Sequence, residues 1–400
     1  MGADAWRLAL AATALMALVT GARSAFGLFV SPLNTATGLG LAGISLAAAV
    51  AQLGLGAGQP LVGWLAERHG AVRVIRSGAL LLALATAAIA WAGSVPMLAA
   101  LLLVAALGSS ATGSNALLIG EIGRRLTPAQ QGLAIGLVGA GGSAGQLLLA
   151  PATQWAITQQ GWFWALMATA ALSLLAWPLA GAFRQAAPRP ATAVAVPLAD
   201  ALRDRRFWAV TLAFASCGFH IGFLTMHMPG VIERCGLPAT LAGPWLALMG
   251  AANIAGSLAV GWVLKRTEAS AVLAALYLLR AAAVAALLAS PATSAALLGF
   301  ALLAGATYMA VLPPTARRIA QDFGAQRLGT LFGVVMVVHQ IGGFGGVWLG
   351  GWLADRQGSD TAFWSLDLAL ALLAAALVWP RARRSAPTPP PAAALRPAGT

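Results

Sequence analysis

Apolar residues in this chain come in runs of about twenty, the length a helix needs to cross a bilayer, with short polar or Gly/Pro breaks between them. The pattern predicts six spans near 7–31, 42–66, 72–93, 96–120, 131–153 and 162–183. After a linker, six more are predicted near 207–229, 241–264, 270–290, 294–316, 329–350 and 362–380. The expected class is an all-α membrane protein with twelve transmembrane helices. The first run is too long for a signal-peptide core and has no small-residue cleavage site, so it is expected to remain as a span.

Composition sharpens this reading. With 60% hydrophobic and 9% charged residues and a mean hydropathy of +0.82, the polar residues could not cover a soluble domain of this size. The formal charge of +13 would suit a nucleic-acid binder, but nearly all of the 24 Lys and Arg fall on one side of the predicted spans. They include Arg7, Arg73, Arg124, Lys265 and Arg317, whereas Arg234 and Arg356 fall in loops on the other side and Arg23 and Arg280 lie within spans. The positive-inside rule then places both termini in the cytoplasm and the protein in the cytoplasmic (inner) membrane. Charge is a topology signal here, and no nucleic-acid partner is expected. Tryptophans such as Trp64, Trp155, Trp262 and Trp379 fall near span ends, as an interfacial belt requires. Cys217 in a span and Cys235 in a loop suggest no disulfide framework.

The two sets of six spans repeat each other. Gly218, Phe223 and Pro229 each lie 197 residues after Gly21, Phe26 and Pro32. The same offset carries Gly132, Gly136 and Gly145 onto Gly329, Gly333 and Gly342, and Gln160-Gly161 onto Gln357-Gly358. A tandem duplication of a six-helix unit is the expected origin. A second repetition cuts across the first: GWLAERHG at 63–70 follows the second span, GWLADRQG at 351–358 follows the eleventh, and a weaker GWVLKR stands at 261–266. The second and eleventh spans are equivalent only if each half is itself an inverted pair of three-helix units. Parallel halves built from inverted triplets resemble the major facilitator superfamily. The organisation expected is a first half at 1–183, a linker at 184–206 with an interfacial turn, a second half at 207–381 and a disordered tail at 382–400.

The phrase at 63–70 is similar to that superfamily's loop motif between its second and third spans. Gly63, Leu65, Ala66, Arg68 and Gly70 match it, Glu67 replaces the usual Asp, and Arg73 trails two residues late. An acid at a helix end can pair with a nearby Arg and sit against the positive end of a neighbouring helix. Gly63, Glu67, Arg68, Gly70 and Arg73 are therefore the expected cytoplasmic gate; a plain charged turn is the alternative.

Polar side chains at mid-span are costly in lipid, and each is a candidate for function. Arg23 in the first span and His220 in the seventh are related by the 197-residue offset. Two basic groups facing one cavity would bind an anion, and Arg23 is expected to do so unless it snorkels outward. His339 and Gln340 in the eleventh span are further candidates, as are Asn115 in the fourth and Asn253 in the eighth. For the histidines and the asparagines, packing through hydrogen bonds is an equal alternative. Arg280 and Asp367, in peripheral spans, are expected to pair structurally.

Several segments resemble the bacterial monocarboxylate-porter branch of the superfamily, related to oxalate/formate antiporters. They include GARSAFGLFVSPL, CGFHIGFLTMHMP and LFGVVMVVHQIGGFGGVWLGGWLADRQGSDTAFW. The resemblance implies secondary transport of a small organic anion, with protons or by exchange, and a carboxylate contact at Arg23-Ser24. Two departures qualify it. The eighth span lacks the basic residue of better-studied members, and the fourth lacks the Arg typical of proton-driven sugar and drug carriers. A drug or neutral-solute efflux pump is the alternative within the fold. A membrane enzyme would need convergent carboxylates or a metal cluster, and a sensor an output domain. No cofactor or metal is expected, the partners are the solute, protons and the bilayer, and the working unit is expected to be a monomer.

Overall fold

The structure is a computed structural model that describes residues 2–184, 198–324 and 328–380. The tail expected at 382–400 and the Pro-broken first part of the linker lie outside them. Among the described residues, eleven helices are long and apolar enough to cross a membrane. One of them, Gln130–Phe183, has 54 residues, about 80 Å of helix and more than twice the ~30 Å hydrocarbon core. It divides at Gly161, whose φ of 82° and ψ of 161° no helix accommodates. Twelve crossings result, as the apolar pattern predicts.

The first half comprises α1 (Ala3–Thr37), α2 (Leu41–His69), α3 (Ala71–Trp91), α4 (Val95–Arg125), α5 (130–160) and α6 (162–183). The second comprises α7 (Arg205–Arg234), α8 (Ala239–Val263), α9 (Ala269–Ala289), α10 (Ser294–Phe323), α11 (Leu331–Gln357) and α12 (Thr361–Val378). With twelve crossings, the start of α1 and the end of α12 lie on one face of the molecule, here called the terminal face. The short helix Leu198–Arg203 leads into α7, where Asp204 caps the Arg206 N–H at 2.7 Å. The Arg206 guanidinium also holds the Asp204 carboxyl below the usual carboxylate range.

The duplication is visible in the packing. α1 lies along α5 and α7 along α11. At Gly21 a Cβ would come within 2.6 Å of the Gly145 carbonyl oxygen, and at Gly218 it would collide with the His339 carbonyl. Both pairs need backbone approach that only small residues permit. The turns repeat too, since Gly161 and Gly358 both have positive φ, 82° and 62°. α4 and α10 start with matching hydroxyl caps, Ser94 on Met97 N–H and Thr293 on Ala296 N–H. Both then break at the repeat-equivalent place: α4 at Ser114 (φ −78°, ψ 153°), and α10 in a turn over 308–311.

The halves meet through α2 against α11 and α5 against α8. These contacts concentrate away from the terminal face. Gly27 of α1 packs on the backbone of Thr225 and Met226 of α7, Gly351 on Ser45, and Gly243 on Gln154 and Pro151. Toward the terminal face the neighbours thin out: a Cβ at Gly63, Gly136, Gly139, Gly261 or Gly333 would meet nothing within 4 Å. The two bundles therefore close against each other on the far face and stand apart on the terminal face.

Candidate functional site

Arg23 sits on α1 just before the helix tightens into a 3-10 turn at Phe26–Phe29. Its side chain is exposed although it lies deep within a span, and Gly27, one turn further along, packs on the backbone of Thr225 and Met226 in the other half. Arg23 thus stands where α1 approaches the second half. Ser24, beside it, is buried with no partner for its hydroxyl.

The structure does not bring His220 to Arg23. His220 is 0% exposed, and its Nδ1 donates to Asp367 Oδ2 at 2.5 Å inside the second half. The repeat offset fixes position along a helix but not the neighbours that rotate into contact, and α12 supplies a carboxylate with no counterpart in the first half. Arg280 and Asp367 accordingly do not form the direct ion pair expected of them. Arg280 donates instead to the Thr307 carbonyl at 2.9 Å and to Cys217 Sγ at 3.5 Å, and lies over the Tyr277 ring at 5.6 Å. Cys217, His220, Tyr277, Arg280 and Asp367 make one buried polar cluster, sealed off from the space between the halves.

The remaining candidates divide in the same way. His339 is 8% exposed, stacks near Phe214 (4.6 Å between ring centres) and donates from Nδ1 to the Phe214 carbonyl at 3.0 Å. His227 is sealed, with Nε2 at 2.7 Å from the Val347 carbonyl. Gln340 packs on Gly56 across the α2–α11 contact. Asn115 is the first residue of the second segment of α4, half-buried. Asn253 is fully engaged by protein: it donates to Ser143 Oγ of α5 at 2.7 Å and accepts the Met309 N–H at 2.9 Å. It therefore joins the halves and also satisfies a backbone donor freed by the break in α10. Gln146 makes a second such tie to the Leu246 carbonyl at 3.1 Å.

At the terminal face, Glu67 accepts from Arg124 at 3.4 Å, and Arg124 and Arg125 both bond Glu121. Arg125 also reaches the Phe183 carbonyl at 2.7 Å, fastening α4 to the end of α6. Gly70 turns the chain at φ 83° and closes α2 on the Ala66 carbonyl. Arg73 is exposed. The second half carries the analogous tie, Arg317 to the Leu264 carbonyl at the end of α8. Arg68 does not join the network. It lies over Trp64 at 5.1 Å, as Arg266 lies over Trp262 at 5.1 Å and Arg356 over Trp352 at 4.6 Å. Trp and Arg four residues apart form the same cation–π clamp in all three copies of the repeated phrase.

The residue sequence reasoning missed is Tyr308. The chain has two tyrosines, and a rare hydroxyl at mid-span beside a Gly-rich segment was the available signal. It lies buried in the break of α10, beside Met309, whose N–H bonds Asn253.

A family model for the Major Facilitator Superfamily matches residues 12–347. The chain belongs to that superfamily. Among curated relatives it is 26% identical over 368 residues to monocarboxylate transporter 13 of Rattus norvegicus, covering 90% of this chain and 85% of that one. It is also 27% identical over 246 residues to the uncharacterised MFS-type transporter YcxA of Bacillus subtilis, covering 56% of this chain and 58% of that protein. Among solved structures, a D-xylose–proton symporter superposes with TM-score 0.76 at 16% identity, over 94% of this chain and 97% of that one. A bacterial homologue of the lysosomal transporter Spinster, inward-facing and unoccupied, gives 0.70 at 16% over 94% and 95%. Likeness at such identities shows the fold alone. As a member of the superfamily the protein is a multi-pass transporter of small molecules, and the helix breaks, the paired bundles and the one-sided opening are the parts such a carrier needs.

Proposed function

We propose that this superfamily member moves a small organic anion of the monocarboxylate type across the cytoplasmic membrane by alternating access, with the terminal face in the cytoplasm. The carrying observation is Arg23: a guanidinium exposed at mid-span depth, one turn before Gly27 packs against the other half. A buried or semi-enclosed guanidinium binds one carboxylate in a two-pronged arrangement, and its cost in lipid is recovered only when such an anion arrives. With His220 sealed against Asp367, the second basic contact expected on the seventh span is missing. One guanidinium suits a single carboxylate better than two. The likeness to monocarboxylate transporter 13 supports the same solute class.

In this reading the solute enters from the terminal face, meets Arg23, and the bundles rock about it. The Glu67–Arg124–Glu121 network then bears on the terminal face as it closes. The test is counterflow in proteoliposomes with radiolabelled acetate, lactate, pyruvate and oxalate. Arg23→Ala should reduce lactate or pyruvate exchange at least a hundredfold while the protein inserts and elutes like wild type. Arg23→Lys should retain a measurable fraction, because it keeps the charge but not the fork. Undiminished exchange in Arg23→Ala would end the organic-anion reading.

A further inference from the structure

We propose that the groove between α1 and α6 at the terminal face holds an anionic phospholipid, with its phosphate on Arg7 and one acyl chain between the helices. The inference is independent of the solute carried and concerns a different side of α1. At 3.6 residues per turn, Arg7 stands about 160° round α1 from Arg23, and by the same angle in the opposite sense from Gly27, where α1 meets the other half. Leu10, one turn on from Arg7, is 56% exposed. This side of α1 therefore looks outward to lipid.

The groove has a volume of about 430 Å³ and lies between Arg7, Leu10 and Ala14 of α1 and Pro178, Leu179 and Ala182 of α6. Its origin is local. Pro178 has no N–H to give the Leu174 carbonyl, which takes the Trp177 N–H at 2.9 Å instead, so α6 tightens and ends in a 3-10 turn at Ala180–Phe183. Opposite that narrowed end α1 offers the small side chain of Ala14, and neither helix fills the gap. From Arg7 to Ala14 the groove runs about 10 Å along α1, two-thirds of the ~15 Å of hydrocarbon in one leaflet. That is room for the first part of an acyl chain, with the guanidinium at the end where the headgroup sits.

Charge selects the headgroup. Among the described residues Arg7 makes no ion pair, Asp4 in the preceding turn included. Arg76 of α3, whose guanidinium lies over Trp177 at 5.3 Å, makes none either. Two cations at one end of α6 without carboxylates favour a headgroup of net negative charge, whose phosphate a guanidinium holds with two N–H donors. The second half supplies a comparison within the same molecule. The 197-residue offset carries Arg7 onto Asp204, already bonded to Arg206, and Pro178, Leu179 and Ala182 onto Ala375, Ala376 and Trp379. Those three residues border a groove of about 560 Å³ with Leu278 and Leu372, and no charged residue among those described borders it. A lipid can lie in either groove; only the one at α1 and α6 distinguishes lipids by charge.

The experiment offers the full-length protein in detergent equimolar phosphatidylglycerol and phosphatidylcholine with identical acyl chains, and native mass spectrometry counts what each chain retains. Wild type should retain one phosphatidylglycerol in preference to phosphatidylcholine by at least about fivefold. Arg7→Gln should lose that preference while still retaining phosphatidylcholine in wild-type amounts. Arg266→Gln, on the terminal face of the other half, should leave it unchanged. Ala14→Phe, which fills the groove without touching the charge, should elute like wild type and retain phosphatidylglycerol no better than Arg7→Gln does. Equal retention of the two lipids by wild type overturns the inference, and that result needs no variant to fold. A loss in Arg266→Gln as large as that in Arg7→Gln also overturns it, since the preference would then come from the basic face as a whole. Undiminished phosphatidylglycerol retention by Ala14→Phe does so too, because the acyl chain would then lie elsewhere.

Discussion

At the scale of single residues, what matters is which polar atoms find partners and which are left facing open space. His220 and Asp367 satisfy one another at 2.5 Å within a protein interior that offers neither of them water. Removing the acceptor would strand a buried donor, at a cost of about 1–3 kcal/mol. Asp367→Ala should therefore lower the apparent melting temperature by several degrees in a half of this size, where 1 kcal/mol corresponds to about 2–4 °C. Asp367→Asn, which keeps an acceptor for Nδ1, should recover part of that. Tryptophan fluorescence during heating reads both, and counterflow by the surviving folded fraction should remain near wild type, since the cluster is sealed from the site. A large loss of transport with unchanged melting would instead place the pair in the transport cycle. The same scale shows where reading the chain stops. Arg23 and His220 are equivalent by register, yet one faces open space and the other a carboxylate, because linear offset does not encode which face of a helix meets which neighbour. Asp367 was assigned to the wrong partner for that reason: Arg280 and His220 are both basic, both at similar depth, and only packing chooses between them.

At the scale of helices, the sequence was far more legible. Apolar length gave the crossings, and the glycine register gave the duplication; the structure shows that those glycines mark the α1–α5 and α7–α11 contacts, where close approach tolerates few residue types. The break in α10 was passed over, although Pro313 and Pro314 stand just after it and open the segment that follows. Residues 308–311 are Tyr, Met, Ala and Val, with no Gly or Pro among them, and the break is held by Asn253 on another helix, which accepts the Met309 N–H. A backbone donor freed in mid-membrane needs such a partner. Asn253→Ala removes it and also the bond to Ser143 across the halves, leaving two buried groups without partners. The expected result is a loss of about 2–4 kcal/mol in stability, from two such penalties, and faster proteolysis at the α10 turn. Asn253→Asp keeps the acceptor and gives up the donor to Ser143. It should hold the fold better than Ala while still slowing exchange if the bond from Asn253 to Ser143 couples α5 to the break in α10. Equal exchange rates in wild type and Asn253→Asp would assign Asn253 to packing alone.

At the scale of the whole molecule, the closed far face and the parted terminal face describe one state of a two-state carrier, and the contacts name the surface that must separate for the other. Gly351 of α11 lies against Ser45 of α2 so closely that a side chain at 351 would displace the Ser45 hydroxyl. The two positions belong to different halves, so they can stay together only while the far face is shut. Cysteines at both, in a chain whose own Cys217 and Cys235 are replaced by serine, should bridge under mild oxidation and hold the terminal face open. Exchange should then stop and return when reductant is added, while neither single cysteine does this. A cysteine at Gly139, where nothing stands within 4 Å, should in the bridged protein react with a membrane-impermeant thiol reagent from the terminal face, and should become shielded as turnover resumes. The two readouts are opposite in sign because rocking exchanges one set of contacts for the other. Continued exchange through a bridged 45–351 pair would mean that the halves do not part there, and that the solute leaves by a route other than the separation of α2 from α11.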